Sequence, residues 1–344
     1  MKKIIYLILF FLLISNISIA KDLFETEFSN VKFQSINIEN SKNKQITDIK
    51  LNNFNKIMKN LLEVKNYKKL QKKIDNNFVD KFILNIIINN EIIINDNYSA
   101  EIKINFNKDL ILNYLISNEI DYIDHIPDNY LTIIYFKNNI VEKTLSKENP
   151  FYSYLIQNSD KFNNFYLLPN LDINDRFLIN KKDILNGNLK NINKVKKKYN
   201  TSNIVLISVI NKSEFTNIKI YTINNNLFNL IDNINIKNIN YDDFFFNTIS
   251  KIIENWKSYN LISTSEISSL VCIVKAFNIL ELKNIKKLIK SSPVIKDIII
   301  KDISFNSNVY TIYYYGRTDI LIKSLNRKKI NILINEDFCN ISLK

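Results

Sequence analysis

From residue 165 to residue 210 the chain alternates short apolar runs with polar stretches in an order that reads strand, loop, helix, strand. Residues 165–168 are apolar. A Pro-Asn loop with acids at Asp172 and Asp175 follows, residues 189–199 carry apolar positions at helical spacing, and residues 204–210 are apolar apart from one serine. A nearly continuous apolar strand after a helical pattern marks a parallel strand covered on both faces, which predicts an α/β layer at the centre of the chain.

The same reading extends outward to three small modules, an α/β and α+β mixture. Residues 21–118 read as an α+β module. It has a strand at 31–38, an amphipathic helix with apolar positions from Ile46 to Leu62, and a β-branched strand at 83–94. A two-residue turn at Asp96-Asn97, a strictly alternating strand to Phe106 and a helix at 109–117 complete it. Residues 119–262 form the central α/β domain with a partly parallel sheet. Its further elements are a strand at 130–136, a helix opened by Asn149-Pro150, an antiparallel extension at 215–223 and 227–236, and a long helix at 242–259. Ser263 to Ser269 is a polar linker, and residues 263–344 then follow the β-α-β-β-α-β order of a ferredoxin-like module. One echo runs across the chain: residues 100–115 and 311–325 both read as an alternating strand, an Asn or Gly, a base, an acid and an apolar helix ending at Leu.

The first residues change the setting. Lys2 and Lys3 precede an apolar run at 4–14, and Ser18-Ile19-Ala20 offers the small residues of a signal-peptidase site, so residues 1–20 read as a secretory signal peptide. The run is shorter than the roughly 20 residues that span a bilayer, and the residue directly after Ala20 is Lys21, not Cys. A chain without a transmembrane segment after cleavage, in the periplasm, is expected. Removing the leader lowers the formal charge from +13 to +11. A basic exported protein favours anionic lipid, cell-wall polymer or an acidic partner, and nucleic acid is not an expected partner; an AT-rich coding bias toward Lys, Asn and Ile accounts for the same charge. With two Gly in the chain, turns that need positive φ fall to Asn, and the pairs Asn89-Asn90, Asn138-Asn139 and Asn163-Asn164 and the triple Asn224-Asn225-Asn226 read as turns.

The chemistry the chain permits is narrow. One His excludes a histidine-rich metal site, and two Cys 67 positions apart lack metal-ligand spacing. Two Gly exclude a phosphate-binding glycine loop and a dinucleotide fingerprint, so no cofactor is expected. A catalytic triad would need His125, whose surroundings favour a solvent-facing or capping role. The remaining candidate is Asp172, Asp175 and Arg176, which would follow the carboxyl end of a parallel strand, where α/β sheets place ligands. These carboxylates could bind a cation or a sugar, or serve a carboxylate-based enzyme. The simpler reading is side-chain turns, with Arg176 paired to a carboxylate. Cys272 and Cys339 each share an alternating face with apolar neighbours, so both thiols point into the carboxy-terminal core. They can pair if the first and last strands of that module are antiparallel neighbours, and otherwise pack as small hydrophobes.

The order of several short motifs resembles an uncharacterised bacterial envelope family, the domain of unknown function numbered two thousand and sixty-six. Carrying it are residues 98–106 leading into Leu110 and Leu115, Asn149-Pro-Phe-Tyr152, Leu167-Leu-Pro-Asn-Leu-Asp172 with Asp175, and residues 198–206. The amino-terminal module also resembles the first domain of the flagellar H-ring protein, and the central layer the amino-terminal domain of the Tol translocation protein. These resemblances bring no catalytic residues and imply an exported interaction module. With the export signal the expected partner is an envelope protein, and with the basic charge an anionic envelope polymer.

Overall fold

The computed structural model describes residues 23–127, 129–224, 227–303, 307–334 and 339–344; the expected leader and the Asn225-Asn226 turn lie outside the described residues. The architecture is a mixed α/β one with several sheets. The amino-terminal unit runs β1 (Ser29–Gln34), α1 (Ile38–Leu61), α2 (Val64–Gln71), α3 (Asn76–Asp80), β2 (Ile83–Ile94), β3 (Asn97–Phe106), α4 (Lys108–Ser117). Its strands lie in the order β1-β3-β2, antiparallel throughout. Alternation in β3 buries Tyr98, Ala100, Ile102, Ile104 and Phe106. Phe54 of α1 meets Phe78, Phe82 and Phe106 at ring separations of 5.3 to 5.9 Å.

Three local expectations change here. Helix α1 begins at Ile38, well before the apolar spacing starts, because the Asn37 side chain accepts from Asn40 N (3.0 Å) and nucleates a polar first turn. The hairpin turn is Asn95-Asp96, one residue earlier than expected, with Asn95 at φ 53°. Asn90 at φ 51° sits inside β2 at a register shift, so it makes a bulge rather than a turn.

The central sheet has the order β5-β4-β7-β8-β9, built from β4 (Tyr130–Lys137), β5 (Glu142–Thr144), β7 (Ile204–Asn211), β8 (Thr216–Asn224) and β9 (Leu227–Ile236), with the two-residue β6 (Tyr166–Leu167) also on β4. β4 runs parallel to β6 and β7, and β7, β8 and β9 are antiparallel. Around it pack α5 (Pro150–Gln157), α6 (Ile173–Leu178), α7 (Lys181–Asn186), α8 (Leu189–Lys198) and α9 (Tyr241–Asn260). Both faces are covered. Thr222 of β8 bonds Asn255 of α9 (2.8 Å), while its neighbour Tyr221 points to the other face and stacks on Phe228. Phe228 leaves no room for a side chain at Gly187, which follows α7 at φ 65°: an added Cβ would lie 2.7 Å from the ring.

The edge of β4 is finished by three devices in series. β6 pairs with Tyr130 and Leu131, and β5 pairs with Tyr135, Phe136 and Lys137. Between them the Tyr152 hydroxyl donates to Thr132 O (3.1 Å) and accepts from Ile134 N (2.8 Å), and Asn149 Nδ2 donates to Ile134 O (3.3 Å). The Asn-Pro-Phe-Tyr stretch that caps α5 thus also stands in for a missing piece of strand.

The carboxy-terminal unit runs β10 (Ile267–Lys275), α10 (Ile279–Lys290), β11 (Ile295–Ile303), β12 (Ser307–Tyr315), α11 (Thr318–Arg327), β13 (Ile330–Ile334), β14 (Cys339–Leu343), with strand order β11-β12-β10-β14-β13. The expected final strand region is two strands, and β14 folds back between β13 and β10. The first and last strands are therefore neighbours but parallel, not antiparallel as expected. Cys272 faces Cys339 in that register, and the two are joined by a disulfide with Cα atoms 4.3 Å apart. The first five elements repeat the amino-terminal topology: β10-β12-β11 matches β1-β3-β2 in order and direction.

Candidate functional site

The structure brings Asp172 and Asp175 together with Lys198 and Tyr199, and leaves Arg176 out. Asp172 caps α6, its Oδ1 accepting from Asp175 N (2.9 Å), and this hydrogen bond holds its carboxyl below the usual range. Asp175 is 1% exposed. Its Oδ1 accepts from Lys198 Nζ (2.6 Å), and its Oδ2 accepts from Leu171 N (3.1 Å) and the Tyr199 hydroxyl (2.6 Å). Tyr199 in turn accepts from Asn170 N (2.7 Å); burial, then the Asp175 bond, pushes its hydroxyl up to about 12. Arg176 Nε donates to the Leu145 carbonyl (3.2 Å), so the expected pairing with a carboxylate gives way to a backbone contact that ties α6 to the residue after β5.

Position matters as much as pairing. β6 ends after Leu167, opposite Leu131, while β4 continues to Lys137. The loop therefore leaves the sheet near the amino end of β4, away from the carboxyl ends of the long parallel strands where a ligand crevice would form. With both oxygens of Asp175 engaged, what this arrangement does chemically is fix the loop: a buried carboxylate satisfied by an ammonium, a phenol and a backbone N–H.

A second cluster lies where the chain crosses between units. Tyr122 and Ile262 form an isolated antiparallel bridge, so the segments that lead into and out of the residues of the central sheet run side by side there. Beside it Asp124 Oδ1 meets His125 Nδ1 (2.7 Å), and Asp124 Oδ2 accepts from Ser324 Oγ (3.0 Å) and from Arg327 Nη2. Burial alone would raise the Asp124 carboxyl, but the His125 bond, the Arg327 guanidinium and the Ser324 hydroxyl outweigh it and hold the group at about 2. His125 is held low, first by burial, and Arg327 Nη1 approaches Nε2 (3.0 Å). The hydrogen-bond network assigns the proton to Nδ1. The ring stands edge-on to Trp256 at 4.5 Å. His125 is thus neither solvent-facing nor a helix cap. Nor is this a nucleophile triad: the Ser324 hydroxyl bonds Asp124 and Ser292, and Nε2 faces a guanidinium.

A third device joins α9 to the amino-terminal unit. Lys257 is 3% exposed, and its Nζ donates to Lys59 O (2.7 Å), Leu62 O (2.7 Å) and Glu254 Oε1 (2.8 Å). Glu254 Oε2 accepts from Val64 N (3.0 Å). One turn of α9 thereby satisfies the carboxyl end of α1 and the amino end of α2. Sequence reading missed this pair, although Lys257 lies four residues after Ile253 and eight after Ile249, on the apolar stripe of its helix.

Among the described residues no group of three or more His, Cys, Asp or Glu is placed to hold a metal, and no helix is long and apolar enough to cross a membrane. A cavity of about 210 Å³ lies between residues 23–29 and α1, one of about 370 Å³ between the end of β9 and the start of α9, and one of about 460 Å³ over β1 and the β2–β3 hairpin; the two larger ones reach the size at which ligand pockets begin, roughly 300 Å³. Compared with family models, curated proteins and solved structures, the chain matches none.

Proposed function

We propose that this chain is an exported, non-enzymatic envelope protein that acts as an interaction or scaffold module for another envelope component. The observation that carries the proposal is the buried Cys272–Cys339 disulfide, since such bonds form and persist in oxidising compartments. The signal-like residues 1–20 support the same setting. The engagement of Asp124, Asp175 and Lys257 in holding loops and units together supports a scaffold rather than a catalyst. In this reading the carboxy-terminal unit is a ferredoxin-like core with one strand added. Affinity purification from native envelopes tests the proposal. One envelope protein enriched well above background is expected; enrichment of wall polymer or lipid alone overturns the protein-scaffold reading. An Asp172→Asn/Asp175→Asn variant that keeps its fold and loses a measurable turnover would reinstate an enzyme.

A second reading, binding to an anionic polymer or lipid surface, is favoured by exposed lysines in stripes: Lys65, Lys68, Lys69 and Lys72 on and just after α2, and Lys190, Lys194 and Lys197 on α8. Co-sedimentation with anionic vesicles or purified wall is expected to fall as salt rises, and binding indifferent to ionic strength rules this reading out.

A further inference from the structure

Strand β11 is an edge of its sheet, and its sequence, Ile295-Lys-Asp-Ile-Ile-Ile-Lys-Asp-Ile303, complements itself when laid antiparallel on a second copy. With Ile299 facing Ile299 of the second copy, Ile298 meets Ile300 and Ile295 meets Ile303. In the same register Lys296 meets Asp302 and Asp297 meets Lys301. Every position of the nine-residue strand then has an apolar or opposite-charge neighbour. We propose that the protein forms a two-fold symmetric dimer by antiparallel pairing of β11 with β11 of a second copy, joining two five-stranded sheets into one.

Three observations favour a second copy over another occupant. Ile299, Ile300 and Ile303 are 49%, 41% and 69% exposed, so the strand offers apolar side chains to solvent along a backbone edge with which no described strand pairs. The charge order is self-complementary about a single centre, which is what a two-fold interface between identical strands requires. The topologically equivalent edge, β2, lacks this property: folded on its own centre it sets Glu91 against Ile86 and Asn90 against Ile87. β11 also carries its own guard. Asp297 Oδ1 accepts from Ile298 N (2.7 Å) and Asp302 Oδ1 from Ile303 N (2.8 Å), each beside a register shift. Such caps and bulges blunt an edge against indiscriminate pairing. A second copy brings lysines that draw these carboxylates off and carbonyls that take over the N–H groups. A strand about 30 Å long, at ~3.4 Å per residue, buries less than the roughly 800 Å² per partner of a stable complex, so the dimer is concentration-dependent.

Equilibrium sedimentation of the exported chain, disulfide intact, tests this, with four matched outcomes. The wild-type chain dimerises as concentration rises. Asp297→Lys/Asp302→Lys turns the attractive pairs repulsive and is monomeric; Lys296→Asp/Lys301→Asp is monomeric for the same reason; an equimolar mixture of the two variants dimerises again. These positions are exposed, so the variants keep the fold, which circular dichroism checks. For register, Ile299→Cys cross-links to itself under mild oxidation, whereas Ile303→Cys cross-links only to Ile295→Cys. A wild-type chain that stays monomeric at every concentration, a dimer that survives either charge variant, or a mixture that stays monomeric overturns the proposal.

Discussion

Tyr152 shows how much a single oxygen can do. Its hydroxyl satisfies Thr132 O and Ile134 N at the gap between β6 and β5, so Tyr152→Phe leaves two buried backbone groups without a partner while the ring still fits. A loss of about 1 to 3 kcal/mol is expected in urea unfolding, the penalty of buried unsatisfied groups. The sequence places Tyr152 in a helix opened by Asn149-Pro150, and it lies in α5. Its hydrogen bonds to a strand 18 and 20 residues away cannot be read from sequence, because pattern shows which face is apolar and not which backbone groups on a distant strand lack a neighbour. Asp172, Asp175 and Arg176 illustrate the same divide. Asp172 as a side-chain turn residue was legible; that it caps α6, and that Asp175 is buried under Lys198 and Tyr199, depends on α8 packing over the loop.

At the scale of elements, Lys257 and Glu254 make one turn of α9 the joint cap of α1 and α2. Lys257→Met keeps the length and removes the charge, leaving two carbonyls bare and Glu254 without its ammonium. About 3 kcal/mol of destabilisation is expected from breaking so buried a charged group, and urea unfolding should separate into two transitions as the amino-terminal unit loses its tie. The disulfide works within the carboxy-terminal unit: closing a 67-residue separation, it is expected to contribute about 2 to 4 kcal/mol. Reduction or a Cys272→Ala/Cys339→Ala variant should lower stability accordingly, and alkylation under denaturing conditions without reductant should label no thiol in periplasmically expressed protein. β3 was legible from its strict alternation, β2 from its β-branched apolar run and α5 from the Asn149-Pro150 cap that opens it. The short elements β5, α6 and α7 were not, because three to six residues carry too little periodicity to stand out from a polar loop.

For the whole molecule, the junction around Tyr122, Asp124 and Ile262 joins the three units, and it titrates. The Asp124 carboxyl sits at about 2 in the folded chain against 3.8 in the unfolded one, so its stabilisation is complete above pH 4 and lost as pH falls toward 2. For a group this buried the loss is about 2 kcal/mol. His125, held low, adds an earlier loss that begins as pH drops below 6.5, where the unfolded chain takes up the proton first. Urea unfolding from pH 7 to pH 2, read by the lone tryptophan, Trp256, which lies against His125, should show both steps; Asp124→Asn should remove the lower one. The sequence by itself determined the order and kind of most elements, the wet and buried faces of the strands and the inward direction of both cysteines, because these follow from periodicity and residue type. Only the tertiary structure decided that β14 inserts parallel to β10, that Asp124 and Lys257 bind units together, and that β11 is left as an edge. Each of these depends on which strands and helices meet across tens to hundreds of residues, and local pattern carries no record of that.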